Sequence, residues 1–219
     1  MKALNEKGME RRLNIMQEKR TLLIIGAGEH GKVVEEIAIL SHAYEEIAFV
    51  DDDTSKDEKV IGDLKNLERY IDSFTDCIVS LGNNELRAGL LRKIEQIGYH
   101  IPILIHPDAS VSPSAKIGAG TVIEANAAVN SNAVIGKGCL LSIGALVDHN
   151  GVVEDYCHLD AGAVVKTHGS VSVGSHIDSG GVVESGSVTK AVSVTPDINN
   201  EEEWVREYLK ERGTMPTFF

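Results

Sequence analysis

The sequence predicts an α/β domain of the Rossmann-like half type, followed by a parallel β-helix and a C-terminal helix. The main observation is an aliphatic residue at every sixth position from Val111 to Val183, thirteen times without a miss. The second is a series of short apolar runs that alternate with helical patterns before residue 107. The third is the charged, amphipathic segment 201–212, which would cover the open end of a solenoid.

A period of six fits neither a helix nor an ordinary strand, and it indicates stacked, nearly identical units. In a parallel β-helix each aliphatic side chain points into a narrow core. The residue after the aliphatic is often small, as at Gly118, Asn130 and Gly136, which would suit tight turns. A β-sandwich is the alternative, but it predicts period two and irregular turns. The aliphatic positions are Val111, Ile117, Ile123, Val129, Ile135, Leu141, Val147, Val153, Leu159, Val165, Val171, Ile177 and Val183.

Four regions are predicted along the chain. A charged N-terminal extension occupies 1–20, the α/β domain 21–107, the β-helix 108–190, and an acidic tail with a helix 191–219. The α/β domain alternates buried strands with amphipathic helices, as a parallel sheet requires. Its predicted strands and helices are Leu22–Ile25, Lys32–Leu40, Ile47–Val50, Cys77–Leu81, Glu85–Ile97 and Ile101–Ile105.

The composition and charge of the chain exclude several classes of function. The net charge of −12 argues against a nucleic-acid partner, because no basic stripe exists to neutralise phosphates. Cys77, Cys139 and Cys157 have no metal-type spacing, so we expect reduced cysteines, a cytoplasmic protein and no metal site. Cys157 is expected to be a small core residue. No apolar run reaches the ~18 residues of a membrane span, and the first twenty residues lack an apolar signal core.

A glycine-rich loop lies between the first strand and the first helix. Gly26, Gly28 and Gly31 have the G-x-G-x-x-G spacing that brings a phosphate to a helix N-terminus. Asp51 or Asp52, at the end of the second strand, could bind a ribose hydroxyl. Because the domain is only one mononucleotide half, a single nucleotide such as a nucleotide sugar is favoured over a dinucleotide. A glycine turn that only packs strand on helix is the remaining alternative.

Other polar residues are predicted at the same sheet edge. His30 lies inside the glycine loop, beside the expected phosphate. Asn83, Asn84 and Arg87 follow the third predicted strand, where amides and a guanidinium could contact nucleotide or phosphate. The alternatives are an exposed loop histidine and ordinary helix-capping residues.

His149 and His158 are the main catalytic candidates. Neither occupies a core position of the hexads, so both should lie at or near solenoid corners. An imidazole that titrates near neutral pH can take a proton from an amine or hydroxyl during acyl transfer. Two surface histidines are the alternative, and we expect His168 and His176 to be of that kind. The sequence does not choose between the candidate orienting carboxylates Asp148, Asp155 and Asp160.

Several motifs together resemble one family. GAGEHGKVVEEIA, FVDDD, SLGNNELR, HPDASVSPSAKIGAGTVI and VDHNGVVEDYCHLDAGAVV are similar to segments of the hexapeptide-repeat acetyltransferases related to the sialic acid, bacillosamine and perosamine enzymes. The resemblance covers about residues 21–188. It implies a left-handed parallel β-helix and a homotrimer with sites between subunits. It also implies a nucleotide sugar on the N-terminal domain and acetyl-CoA as co-substrate along the β-helix.

The resemblance also implies roles for individual residues. His149 would be the general base and His158 would act near the thioester carbonyl, and Asp148 would compensate for the acidic residue that the family places after the base. His158 and Gly162 would contact the cofactor. Two features depart from the family: Asn150 stands where an acidic residue often follows the base, and the hexads end early, near Val188. The residues implied for the nucleotide-sugar pocket are Gly28, His30, Gly31, Asp51, Asp52, Asn83, Asn84 and Arg87.

The expected activity is therefore acetyl-CoA-dependent N-acetylation of a nucleotide-linked (UDP) amino sugar in bacterial glycan or polysaccharide biosynthesis. Transfer would be direct, with a histidine base and no covalent enzyme intermediate. The alternatives are a sugar O-acetyltransferase and a trimeric nucleotide-sugar-binding protein without acetyl transfer.

Overall fold

The computed structural model describes residues 20–192 of the chain. Residues 1–19 of the predicted extension 1–20 and the predicted helix at 201–212 lie outside the described residues. Arg20 already belongs to the first strand of the α/β domain.

The α/β domain contains one parallel four-stranded sheet with the order β3-β2-β1-β4. Because all four strands run the same way, the segments that follow β1, β2 and β4 meet at one edge of the sheet. The elements in chain order are β1 (Arg20–Ile25), α1 (Glu29–Leu40), β2 (Tyr44–Val50), β3 (Val60–Gly62), a 3-10 segment (Leu64–Tyr70), β4 (Asp76–Val79) and α2 (Asn84–Ile97).

Both faces of this sheet are buried, which explains the unbroken apolar run of β1. Side chains alternate between the two faces of a strand. Leu22 and Ile24 therefore pack with Ile37 of α1, whereas Leu23 packs on the other face with Ile94 of α2. The prediction of a parallel α/β domain is confirmed.

The β-helix is built from two-residue strands that make three parallel sheets. Each strand pairs with the third strand after it, so one coil takes 18 residues and the chain forms a left-handed parallel β-helix. Face I contains β5 (Leu104–Ile105), β8 (Val122–Ile123), β11 (Leu140–Leu141), β14 (His158–Leu159) and β17 (His176–Ile177). Face II contains β6 (Ser110–Val111), β9 (Ala128–Val129), β12 (Leu146–Val147), β15 (Val164–Val165) and β18 (Val182–Val183). Face III contains β7 (Lys116–Ile117), β10 (Val134–Ile135), β13 (Val152–Val153) and β16 (Ser170–Val171).

The predicted aliphatic positions form the second residue of each strand from β6 to β18 and line the core. A second set of small buried residues lies four positions after the aliphatics. Cys139 and Cys157 belong to this set and are fully buried free thiols, so the core role expected for Cys157 agrees with its burial. The set includes Ala127, Ala133, Cys139, Ala145, Cys157 and Ala163.

The turns differ from the prediction in one respect. The left-handed backbone falls on the third residue after each aliphatic, at every sixth position from Gly120 to Gly186, and not on the first. Gly118 and Gly136 follow their aliphatics for a different reason. A Cβ on Gly118 would lie 2.5 Å from the carbonyl carbon of Gly136, so the coils approach too closely for a side chain there. The non-glycine residues with left-handed backbone in the β-helix are Asn126, Asn132, Asn150, Tyr156 and His168.

The end of the α/β domain also differs from the prediction. Ile101–Ile105 was expected to be its fourth strand, but Leu104–Ile105 pairs with Val122–Ile123 and so begins the β-helix. The strand of the α/β sheet that was not predicted is β3, Val60–Gly62, which lies at one edge of the sheet. Three residues that end in glycine carry too little pattern to be recognised as a strand in the sequence.

The two domains share an apolar contact on face I. The outward residues Leu104, Val122 and Leu140 are buried against α1, where they join Val34 and Ile37 in one cluster. The same outward column continues with two histidines from the next coils of face I. The α/β domain therefore covers face I and leaves faces II and III of the same chain uncovered by it.

Candidate functional site

The glycine loop ends in an open helix N-terminus. Gly26 has φ +101, and a Cβ on Gly31 would lie 2.2 Å from the Gly26 carbonyl oxygen, so both glycines are required by the turn itself. Gly28 is different, because a Cβ there would meet no atom within 4 Å. Gly28 is the N-cap of α1, and no side chain caps that end of the helix. The N–H groups and the dipole of the helix are thus directed at free space that suits an anion.

The two aspartates after β2 have different roles. Asp51 is buried; its Oδ2 accepts a hydrogen bond from Ala27 N at 2.9 Å and its Oδ1 from Asp53 N at 2.9 Å. Lys56 Nζ lies 3.0 Å from both oxygens. Burial alone would raise the pKa of Asp51, but these hydrogen bonds hold it below its usual range. Asp52 accepts from Leu64 N at 3.1 Å through Oδ1, and its buried Oδ2 has no partner.

Asn83, Asn84 and Arg87 hold the scaffold together. Asn83 Oδ1 accepts a hydrogen bond from Leu86 N at 3.0 Å and so caps α2. Asn84 Nδ2 donates to the carbonyl of Gly174 at 2.9 Å, across the domain boundary.

Arg87 is fully buried, and its guanidinium joins α2 to the corner between faces III and I. Its Nε donates to Gly138 O at 2.7 Å and its Nη1 to Leu81 O at 2.8 Å. Its Nη2 donates to Asn84 Oδ1 at 2.6 Å, Tyr156 O at 3.1 Å and a further carbonyl of the same corner. Burial lowers the pKa of Arg87 to about 10. The structure thus places this predicted nucleotide ligand in an interdomain clamp.

His30 and His158 bring the two domains together at the opposite corner, between faces I and II. His30 Nδ1 lies 3.5 Å from Glu124 Oε1, and His158 Nε2 lies 3.1 Å from Ser142 Oγ. The other ring nitrogens, His30 Nε2 and His158 Nδ1, are buried and have no partner. Within residues 20–192, the only buried side-chain polar atoms without a partner are these two and the Asp52 Oδ2. Each such atom costs about 1–3 kcal/mol, which a polar ligand would recover.

Both histidines are kept neutral at physiological pH. Burial, and then the charge of Arg87, lowers the pKa of His30 to about 4. Burial, followed by the charges of His176 and Arg87, lowers the pKa of His158 to about 4. A neutral imidazole presents one N–H donor and one acceptor. This pair can therefore both donate to and accept from a ligand.

Three residues of this site were missed or undervalued in the sequence. Glu124 and Ser142 contact the two histidines, as described above. The ring of His176 stacks on that of His158, with centroids 4.6 Å apart, although His176 was expected to be an ordinary surface residue. A signal was present, because 124 and 142, like 158 and 176, differ by the 18 residues of one coil. Gly162 lies exposed on the same corner, with φ +68 and no atom within 4 Å of a Cβ.

The other predicted catalytic residues form a second cluster. His149 Nδ1 lies 2.9 Å from Asp148 Oδ1, and His149 Nε2 lies 2.9 Å from Thr167 Oγ1. Asn130 Nδ2 donates to Asp148 Oδ1 at 3.0 Å, and hydrogen bonds from His149 and Asn130 hold the pKa of Asp148 below its usual range. His149 is half exposed.

This second cluster lies at the corner between faces II and III, which is the one corner that does not border face I. The structure therefore separates His149 from His158 and from the glycine loop of the same chain. The surface beside it is apolar: Leu146 and Val182 are exposed on face II and Val134 on face III. A groove of about 640 Å³ follows face II and includes Val147 and Asp148 in its lining.

Across 20–192, no three histidine, cysteine, aspartate or glutamate residues are grouped as metal ligands. In the same range, no helix is long and apolar enough to cross a membrane.

Comparison with known proteins places both domains. The PglD N-terminal domain family matches residues 21–94. The acetyltransferase domain of PglB from Neisseria gonorrhoeae FA1090, solved in complex with acetyl coenzyme A, is 34% identical with a TM-score of 0.73; the match covers 79% of this chain and 86% of that one. A histidine-to-alanine variant of GDP-perosamine N-acetyltransferase from Caulobacter crescentus, solved with CoA and GDP-perosamine, is 28% identical with a TM-score of 0.67. The match covers 77% of this chain and 90% of that one.

A curated relative agrees with these structures. The UDP-N-acetylbacillosamine N-acetyltransferase of Bacillus subtilis (strain 168) is 34% identical over 113 residues, which is 48% of this chain. The match spans 52% of that protein, about half of its length. Because the PglB domain is matched over most of both chains and at 34% identity, this chain belongs to the left-handed β-helix, hexapeptide-repeat sugar acetyltransferases.

Proposed function

We propose that this chain is an acetyl-CoA-dependent N-acetyltransferase that acts on a nucleotide-linked (UDP) amino sugar in the cytoplasm, in bacterial glycan or polysaccharide biosynthesis. The observation that carries the proposal is the pair of buried, neutral and unpartnered imidazole nitrogens on His30 and His158, beside the uncapped N-terminus of α1. A helix N-terminus suits a diphosphate, and the imidazoles suit hydroxyl and carbonyl groups. The family relatives solved with acetyl-CoA, or with CoA and GDP-perosamine, support the same two ligand classes.

The nucleotide sugar binds at the carboxyl edge of the α/β sheet. Gly28 leaves room for the phosphates, and the free Oδ2 of Asp52 accepts from a ribose or base group. His30 and Gly31 complete the first turn of α1. Asp51, Asn84 and Arg87 contribute by holding the loop and the domain interface in place, since their polar atoms are engaged with protein groups, and Asn83 caps α2 through its Oδ1.

The chemistry belongs to His149. The carboxylate of Asp148 only accepts, so it fixes the proton of a neutral His149 on Nδ1 and leaves the Nε2 lone pair to act as the base. The amine nitrogen of the sugar attacks the thioester carbonyl carbon while its proton leaves toward Nε2. The imidazolium then protonates the departing CoA thiolate, and no acyl-enzyme forms. His158 stabilises the developing oxyanion as an N–H donor, next to the CoA region at Gly162.

The site needs neighbouring chains. His149 lies at the corner opposite the face that carries its own α/β domain, so it serves a sugar bound to another subunit. Exposed Leu146, Val182 and Val134 on faces II and III supply the apolar surface for such contacts. We propose a homotrimer, because closed threefold packing of a three-sided prism places that corner against a neighbour. Light scattering should then give three times the chain mass of 23.6 kDa.

His149→Ala tests the proposed function. It should lower kcat by about 10²–10⁴ in a thiol-release assay with a panel of UDP-amino sugars, and leave the KM values nearly unchanged. His168→Ala is the matched control. The exposed His168 ring makes an edge contact with the His149 ring, with centroids 6.3 Å apart, and bonds neither Asp148 nor Thr167. Turnover near wild type in His149→Ala would refute the base. Failure to bind acetyl-CoA in calorimetry would favour the nucleotide-sugar-binding alternative.

A further inference from the structure

Thr167 contacts the nitrogen of His149 that must receive the proton. It lies one coil below His149, at the same corner position, which is 18 residues later in the chain. Its Oγ1 is 2.9 Å from His149 Nε2 and 3.1 Å from the His149 carbonyl oxygen. With the Asp148 contact on the other nitrogen, the order is carboxylate, imidazole, hydroxyl.

The Asp148 carboxylate determines which nitrogen of His149 carries the proton. The Asp148 carboxylate and the His149 carbonyl have no hydrogen to donate, so a neutral His149 carries its proton on Nδ1. Nε2 is then an acceptor, as is the His149 carbonyl oxygen, and the one hydrogen of the Thr167 hydroxyl can go to either of them. A hydroxyl that gives its one hydrogen to Nε2 keeps its own lone pairs free to accept another. An incoming amine can therefore meet Nε2 through the Thr167 oxygen.

The geometry points to Thr167 as a proton relay between the acceptor amine and His149, an inference that rests on the proposed function. As the amine nitrogen bonds to the thioester carbon, its proton passes to Thr167 Oγ1. The original hydroxyl hydrogen passes at the same time to His149 Nε2. Thr167 ends unchanged, His149 becomes an imidazolium beside Asp148, and its proton later leaves with the CoA thiolate. The amide forms, the carbon–sulfur bond breaks, and no further reactant is needed.

The backbone holds the hydroxyl in place for this role. Ser185 Oγ donates to the Thr167 carbonyl oxygen at 2.7 Å, so the coil below anchors Thr167. The His149 carbonyl oxygen, 3.1 Å away, also accepts only, so it takes the single hydroxyl hydrogen of Thr167 when Nε2, at 2.9 Å, does not. Threonine is branched at Cβ and stiff at χ1, so the hydroxyl stays directed at Nε2 with little entropy left to lose. Thr167 is partly exposed, which leaves its outer side open to substrate.

Thr167→Val tests the relay, because valine has the same shape and no hydroxyl. We expect kcat to fall by about 10²-fold, the lower end for a proton-transfer group, with both KM values unchanged. Thr167→Ser should restore most of kcat. Thr167→Ala repeats the test with a smaller side chain. Ser131→Ala is the matched control, because Ser131 has the same corner position one coil above His149 and its hydroxyl contacts Ser112 Oγ at 3.4 Å, so its kcat should stay close to wild type.

Other results would overturn the relay. An unchanged or raised kcat in Thr167→Val would mean that the hydroxyl only caps the coil or blocks Nε2. An acetyl group on Thr167, found by mass spectrometry after mixing with acetyl-CoA alone, would mean that the oxygen is a nucleophile. Loss of kcat in His149→Ala together with normal kcat in Thr167→Val refutes the relay alone. Normal kcat in His149→Ala refutes the proposed base itself.

Discussion

Replacing Arg87 with methionine tests whether this residue joins the two domains or binds the nucleotide. The change keeps an apolar stem and removes every donor to the carbonyls of Gly138, Leu81 and Tyr156. Each buried acceptor left unpaired costs about 1–3 kcal/mol, so two already cost about 2–6 kcal/mol. Loss of a buried charge offsets part of this cost. At about 2–4 °C per kcal/mol for a chain of this size, Tm should fall by about 10 °C.

The assay is thermal unfolding of the full chain, followed by circular dichroism. Lys137→Ala is the matched control, because the Lys137–Glu95 ion pair also joins α2 to the corner between faces III and I but is exposed. That pair is worth at most about 1 kcal/mol, and its loss should hardly move Tm. If Arg87→Met kept the wild-type Tm and only raised KM for the sugar nucleotide, Arg87 would be a nucleotide ligand and the clamp argument would fail.

Two further predictions concern the glycine loop and the buried histidines. Gly28→Val should fold normally and raise KM for the sugar nucleotide far more than for acetyl-CoA, and equal effects on the two KM values would contradict a phosphate site at Gly28. Gly31→Ala should instead lower Tm, because its Cβ would meet the Gly26 carbonyl oxygen. The pKa values of His30 and His158 are lowered to about 4 from an ordinary 6.5, so the unfolded chain takes up protons first as the pH falls. The free energy of unfolding measured in urea should therefore be highest above about pH 6.5 and decrease toward pH 4. His158→Gln should make this dependence on pH less steep. A wild-type free energy that does not change over this range would contradict the burial of both rings.

The β-helix was predictable because every repeat places a large aliphatic side chain at the same position of the core. That requirement returns every six residues and is visible in the sequence as a spacing. The left-handed turn residue recurs with the same period, but asparagine, tyrosine and histidine also occupy it. That mixture of residue types hides the period, which explains why the turn position was predicted two residues too early.

The candidate site was less predictable, because a sequence shows residue types but not which atoms are already used. Asp51 and Arg87 have the right chemistry for a nucleotide site, yet their polar atoms bind backbone groups of the scaffold. Asp52 looks the same as Asp51 in the sequence, and only the structure shows a free oxygen. Contacts between coils are a partial exception, because the 18-residue coil relates His149 to Thr167 and His158 to His176.

Asn150 shows how a departure from a family pattern acquires a physical meaning. By resemblance to the family, an acidic residue is expected at this position, directly after the histidine base. In the structure Asn150 has φ +57 and occupies the left-handed turn position of its coil, where asparagine is among the best tolerated non-glycine residues. The carboxylate that bonds His149 Nδ1 comes from Asp148, on the other side of the histidine. Orientation of the base therefore does not depend on residue 150, and the departure leaves the proposed chemistry of His149 intact.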